Sequence, residues 1–132
     1  MNLNKTTYHH GNLRETLIAS ALEILKDGTL EDLSLRALAR KAGVSQTAPY
    51  RHFEDREALI AVLILEGSKI FRAGMRTAVE ISSDPVESML ECGLNYYDFA
   101  AAHPALFRIM FGGNINELRE KYPELQESEQ KS

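Results

Sequence analysis

Two short runs joined across a single Gly constrain the fold of this 132-residue chain more than any other feature. In the stretch from Ser34 to Gly43, the apolar residues Leu35, Leu38, Ala39 and Ala42 recur at helical spacing. Ser34 stands where an N-cap hydroxyl accepts an otherwise unpaired amide, and Leu33 with Leu38 has the spacing of a hydrophobic staple. Gly43 ends that run. Ser45 then caps a second helix that carries Gln46, Thr47, Ala48, Pro49, Tyr50, Arg51 and His52 and closes on Phe53, with Val44 and Pro49 repeating the staple spacing. Pro49 falls in the first turn, where a missing N–H costs least. Asp55 opens another helix directly afterwards. Two short helices about a tight turn, the second opening on small polar residues, form the pattern that lays a recognition helix into the DNA major groove.

Composition permits this reading. Apolar residues at 44% and charged residues at 26% are ordinary globular values and argue against wholesale disorder. The net charge of −4 looks wrong for a nucleic-acid binder until it is divided by position. Residues 1–56 hold eight Lys/Arg against seven Asp/Glu, and the remainder holds seven against twelve. His9, His10 and His52 also lie in the first part. The asymmetry favours DNA contact through the N-terminal part, with an acidic body facing away. The single Cys92 cannot form an internal disulfide, which fits a reduced, cytoplasmic compartment. The first residues do not read as a secretory signal, and the longest apolar run, Ala58 to Leu65, is too short to span a bilayer.

Caps and periodicity place the helices. Asn12-Leu13-Arg14-Glu15 reads as a capping box, and Leu17, Ile18, Ala21, Leu22, Ile24 and Leu25 carry a helix to Asp27, with Gly28 suited to a left-handed cap. Asp55 caps a long helix that runs to about Ile81, before Ser82-Ser83. Asp84-Pro85-Val86-Glu87 starts the next one, which ends near His103. Pro104 opens a short apolar helix that stops at Gly112-Gly113, and a candidate seventh begins near Asn114. Nothing resembles a strand or a repeat, so the expected fold is all-α, and the wholly polar end from Gln126 to Ser132 reads as frayed. The expected division is a helix-turn-helix head over residues 1–56 and a helical regulatory body over 57–132.

The head supplies candidate DNA contacts. Gln46 suits a bidentate pair with adenine, the Thr47 methyl can meet a thymine methyl, and Ala48 either touches such a methyl or leaves room for one. Ser45 sits at the same N-terminal turn. Tyr50 and His52 suit phosphate hydrogen bonds, and Arg51 suits guanine or a phosphate. Arg56, in the first turn of the following helix, is a candidate phosphate contact, and Ser34 with Arg36 would clamp the opposite phosphate wall. Other roles compete. Tyr50 can be partly core beside Pro49 and Phe53, His52 can be a plain surface histidine, and Arg36, Arg40 and Lys41 lie on a solvated face whatever the function. His9-His10 has no Cys or acidic partner at ligand spacing, so an N-terminal arm fits better than a metal site. No Ser/His/Asp or Cys/His arrangement, phosphate-cradling Gly loop or metal cluster points to an enzyme or a cofactor.

The stretch from about residue 10 to 65 resembles the tetracycline-repressor (TetR) family of bacterial transcriptional regulators. The resemblance rests on Leu35-x-x-Leu38-Ala39, Ala42-Gly43-Val44-Ser45, Tyr50-x-His52-Phe53 and Arg56-Glu57-Ala58-Leu59. Tyr8-His9-His10-Gly11-Asn12-Leu13-Arg14 and His103-Pro104-Ala105-Leu106-Phe107 resemble a subgroup. Pro49 departs from the apolar residue, such as Leu, that many members carry, which would tilt or shorten the recognition helix. The resemblance implies a homodimeric repressor bound to a palindromic double-stranded operator and released by a small-molecule effector in the helical body. Members usually run well beyond this length, and their last two long helices commonly make the dimer; this chain stops just after Tyr122-Pro123-Glu124-Leu125, so the resemblance implies a body incomplete at its C-terminal end. The aromatic and Met residues of the body suit an effector pocket or an ordinary helix-packing core, and no effector residues are assigned. The alternative is a shortened helical interaction protein that pairs with full-length relatives and weakens their DNA binding.

Overall fold

The computed structural model describes the backbone of residues 2–112 and 114–126, and side chains from Asn12 onward. Among these residues there are helices and no strands, as the all-α reading expects. The chain divides into two compact units, Met1–Ile60 and Ala61–Ser132.

In the first unit, helix α1 (Asn2–Asp27) is interrupted at Asn12, whose φ of −133° and ψ of 30° are not helical. The capping position read from the sequence is thus a break between two helical stretches, with the Thr16 hydroxyl donating to the Asn12 carbonyl at 2.9 Å. Backbone helix reaches back to Asn2. The side chains of His9 and His10 lie outside the described residues. The left-handed cap expected at Gly28 is also corrected, because Gly43 is the one described residue with a positive φ. Gly28 is needed for space instead: a Cβ there would run into the Asp32 carboxylate. That carboxylate accepts the Thr29 N–H at 2.8 Å, bracing a 3-10 turn at Leu30–Asp32 that the periodicity did not reveal.

Helix α2 (Leu35–Ala42) packs against α1. The core of this unit is formed by Leu17, Ala21 and Leu25 from α1, Leu33, Leu35, Leu38 and Ala39 around α2, and Ala48, Pro49, Phe53 and Leu59 beyond it. Leu33 and Leu38 are both fully buried, as the staple requires. A second 3-10 turn, Ala48–Arg51, follows α2. Helix α3 (Arg56–Glu80) then begins behind Asp55, whose carboxylate accepts the Ala58 N–H at 2.8 Å.

The second unit holds the rest of α3, then α4 (Pro85–Ala102), α5 (Pro104–Phe111) and α6 (Ile115–Lys121). Asp84 caps α4 through the Val86 N–H at 3.3 Å with Pro85 in first position, so this start matches its sequence signal. An edge-to-face aromatic cluster joins α3, α4 and α5: Phe71 lies 5.6 Å from Tyr96, 5.4 Å from Phe99 and 5.8 Å from Phe111 between ring centroids. Gly67 lets α3 approach α5, since a Cβ there would press on Met110 and Leu106. Among the described residues, no helix is long and apolar enough to cross a membrane.

Candidate nucleic-acid interface

The turn after α2 is built by hydrogen bonds that its residues dictate. Ser34 Oγ accepts the Ala37 N–H at 2.9 Å and starts the helix. At the other end Gly43 adopts φ 71°, ψ 33°, the left-handed region that a Cβ disfavours. The Val44 N–H reaches the Ala39 carbonyl at 3.0 Å and the Gly43 N–H the Arg40 carbonyl at 3.3 Å, a Schellman closure that satisfies two terminal carbonyls. The chain leaves this closure at Ser45, ready to turn again.

The segment expected to form a recognition α-helix from Ser45 to Phe53 is shorter and tighter. Three of its bonds run three residues apart, Ala48 N–H to Ser45 O at 3.1 Å, Tyr50 N–H to Thr47 O at 3.1 Å and His52 N–H to Pro49 O at 3.0 Å, and one four apart, Phe53 N–H to Pro49 O at 3.0 Å. Pro49 has no N–H to give the Ser45 carbonyl, which the Ala48 amide takes instead. The Ser45 hydroxyl lies 3.4 Å from the Thr47 hydroxyl, and a 3-10 turn beginning at Ala48 stands in place of the α-helix expected behind a Ser45 cap. The result is one-sided. Ala48, Pro49 and Phe53 are buried, while Ser45, Gln46, Thr47, Tyr50 and Arg51 are exposed and His52 is half-buried.

Two arginines tie the parts of the head together. Arg14, from α1, donates Nη1 to the His52 carbonyl at 3.2 Å, and its guanidinium sits 5.2 Å from the Phe53 ring centroid. Arg56 donates Nε to the Leu33 carbonyl at 2.7 Å and Nη2 to the Leu30 carbonyl at 2.6 Å, tying the start of α3 to the entry of α2. Such charge-assisted bonds are the stronger kind. Lys41 and Glu23 add an exposed ion pair at 3.7 Å between α2 and α1, worth at most about 1 kcal/mol.

The structure therefore sorts the residues proposed from sequence. Arg36, Ser45, Gln46, Thr47, Tyr50 and Arg51 present exposed side chains, and Ser34 and His52 are partly accessible. Ala48 does not join them: at 6% exposure its methyl is part of the core and cannot meet a thymine. Arg56 is exposed as well, with two arms of its guanidinium on backbone carbonyls of the head. The Ser34 oxygen is engaged as a cap, although its hydroxyl hydrogen can still be donated. Arg14 is the functional residue that motif reasoning missed. Its signal was available: a charge three and seven residues before Leu17 and Ala21, on the buried face of α1.

Comparison with known proteins agrees with this geometry. Residues 17–63 match the model of the bacterial regulatory proteins of the tetR family. The tetracycline repressor protein class C of Escherichia coli is 46% identical over 50 residues, covering 38% of this chain and 23% of that protein. A protein with unknown function from Rhodococcus sp. RHA1, of solved structure, is 41% identical and superposes with a TM-score of 0.69, covering 79% of this chain and 54% of that one. The chain thus spans about half the length of the Rhodococcus protein, and its match to the repressor covers under a quarter of that protein. The matched residues are those that build the helix-turn-helix head, so over that head the chain is similar to the bacterial regulatory proteins of the tetR family.

Proposed function

We propose that this protein is a sequence-specific DNA-binding regulator of transcription, acting in the cytoplasm as a homodimeric repressor that a small-molecule effector releases from a palindromic operator. One observation carries the reading: the segment from Ser45 through the 3-10 turn at Ala48–Arg51 is buried on one side and offers Ser45, Gln46, Thr47, Tyr50 and Arg51 on the other. Gln46 pairs with the N6 and N7 edge of adenine, and the Thr47 methyl packs on thymine. Tyr50, Arg51 and His52 hold phosphates or, for Arg51, a guanine. The Ser34 hydroxyl and Arg36 meet the opposite phosphate wall. Arg56 and Ala48 have no direct DNA role in this scheme; they hold the reading element in shape.

Release follows from linkage. An effector that favours one conformation of the body over another weakens operator binding by the same coupling free energy by which the operator weakens effector binding. Two heads on one palindrome must reach successive major grooves, about 34–36 Å apart. Selection of bound duplexes from a random pool tests the reading. Enrichment of two inverted half-sites one helical turn apart supports it, and a pool that stays random after repeated rounds contradicts it. A second reading, a helical interaction protein that pairs with longer relatives, draws on the exposed apolar residues of α4. It predicts no enrichment at all.

A further inference from the structure

Pro49 is fully buried, yet it governs how the exposed residues around it are wound. Two properties of its ring act on the backbone. The ring brings no amide to the Ser45 carbonyl four residues back, and in an α-helix it would press on that carbonyl. The Ala48 N–H takes the Ser45 carbonyl instead, and the Tyr50 N–H takes the Thr47 carbonyl, both three residues back and both at 3.1 Å. Beyond Pro49 the four-residue spacing returns, where its own carbonyl accepts the Phe53 N–H at 3.0 Å beside the His52 N–H. Winding decides which side chains stand together. At three residues per turn Thr47 and Tyr50 lie one above the other, whereas at 3.6 per turn they stand about 60° apart. Side-chain tips lie about 5–6 Å from a helix axis, so that rotation moves one tip by about 5–6 Å relative to the other. Successive bases on one strand are about 3.4 Å apart, so the displacement exceeds one base step.

We infer that Pro49 is a specificity-determining positioning residue. By holding the 3-10 winding from the buried side, it sets which base pair Gln46 and Thr47 meet when Tyr50 and Arg51 are seated on phosphates. The inference rests on the DNA reading of this segment and adds to it a residue that touches no DNA. Replacing the proline returns an amide to position 49 and lifts the clash with the Ser45 carbonyl, so the segment can wind as an α-helix behind Ser45. The base contacts then shift by about one base pair against the phosphate contacts. The preferred half-site changes, which is a different outcome from uniform weakening.

Selection of duplexes from a random pool, run in parallel with the wild-type chain, Pro49→Ala and Pro49→Leu, tests it. Pro49→Leu keeps apolar volume in the buried site that Pro49→Ala partly empties, and circular dichroism checks that each chain retains its helices. Asp55→Ala, which removes the cap of α3 in the same head, is the control for plain loss of stability. The two Pro49 variants are expected to enrich a half-site that differs from the wild type's at one or more base pairs, and Asp55→Ala to enrich the wild type's. Fluorescence anisotropy at one salt concentration should then show a crossed preference. The wild-type chain binds its own duplex about 10-fold or more tighter than the variants' duplex, and the variants do the reverse. If both Pro49 variants enrich the wild type's half-site, with affinity lowered alike on every duplex, the inference is overturned while the DNA reading stands. The same follows if they enrich nothing where the wild type does. A wild-type chain that itself enriches nothing sinks the DNA reading and the inference with it.

Discussion

Arg56 holds the Leu30 and Leu33 carbonyls at 2.6 and 2.7 Å, and this decides what its removal should do. Hydrogen bonds from a charged group contribute about 1.5–3 kcal/mol, so Arg56→Ala should lower the unfolding free energy in urea by about that much. The salt dependence of DNA binding by the folded variant should stay at the wild-type slope. Arg51→Ala should do the reverse, leaving stability within about 0.5 kcal/mol and lowering the salt slope by about 1 per monomer. A lower slope for Arg56→Ala with unchanged stability would show that the arginine reads phosphate after all. At this scale the motif located the residues but could not say which way they point. Ala48 and Gln46 are two positions apart in one polar-looking run, yet one is core and the other exposed. Arg14 and Arg56 are bound to carbonyls distant in sequence, which no local pattern encodes.

Among the elements, capping chemistry was legible and helix type was not. Ser34, Gly43, Asp55 and Asp84 act where the sequence places them, because each cap is a local bond of the residue with its own next turn. The recognition segment became a 3-10 turn because Pro49 withdraws one amide and the Ala48 amide takes its acceptor, a competition that periodicity does not register. Gly28 misled for a related reason: the same residue type serves a positive φ at Gly43 and bare space at Gly28. Two substitutions check this account in thermal or urea melts. Gly43→Ala should cost about 1–2 kcal/mol through its left-handed φ of 71°, although nothing crowds the added methyl. Ser34→Ala should cost about 1 kcal/mol by orphaning the Ala37 amide. A neutral Gly43→Ala would mean that the turn relaxes to another conformation.

For the whole molecule, the all-α architecture and the helix-turn-helix head were legible because both depend on residues close in sequence. What the second unit does was less so. Its aromatic cluster of Phe71, Tyr96, Phe99 and Phe111 is core packing in form, and the apolar residues that α4 exposes read in sequence like those it buries. The central claim concerns the exposed side of the segment from Ser45 to Arg51, and Gln46 tests it most directly. Fluorescence anisotropy should be measured for wild type and Gln46→Ala on a selected duplex and on a random one at the same salt. The account predicts that Gln46→Ala loses about 1–3 kcal/mol on the selected duplex and nothing measurable on the random one. Equal losses on both, or none on either, would contradict it.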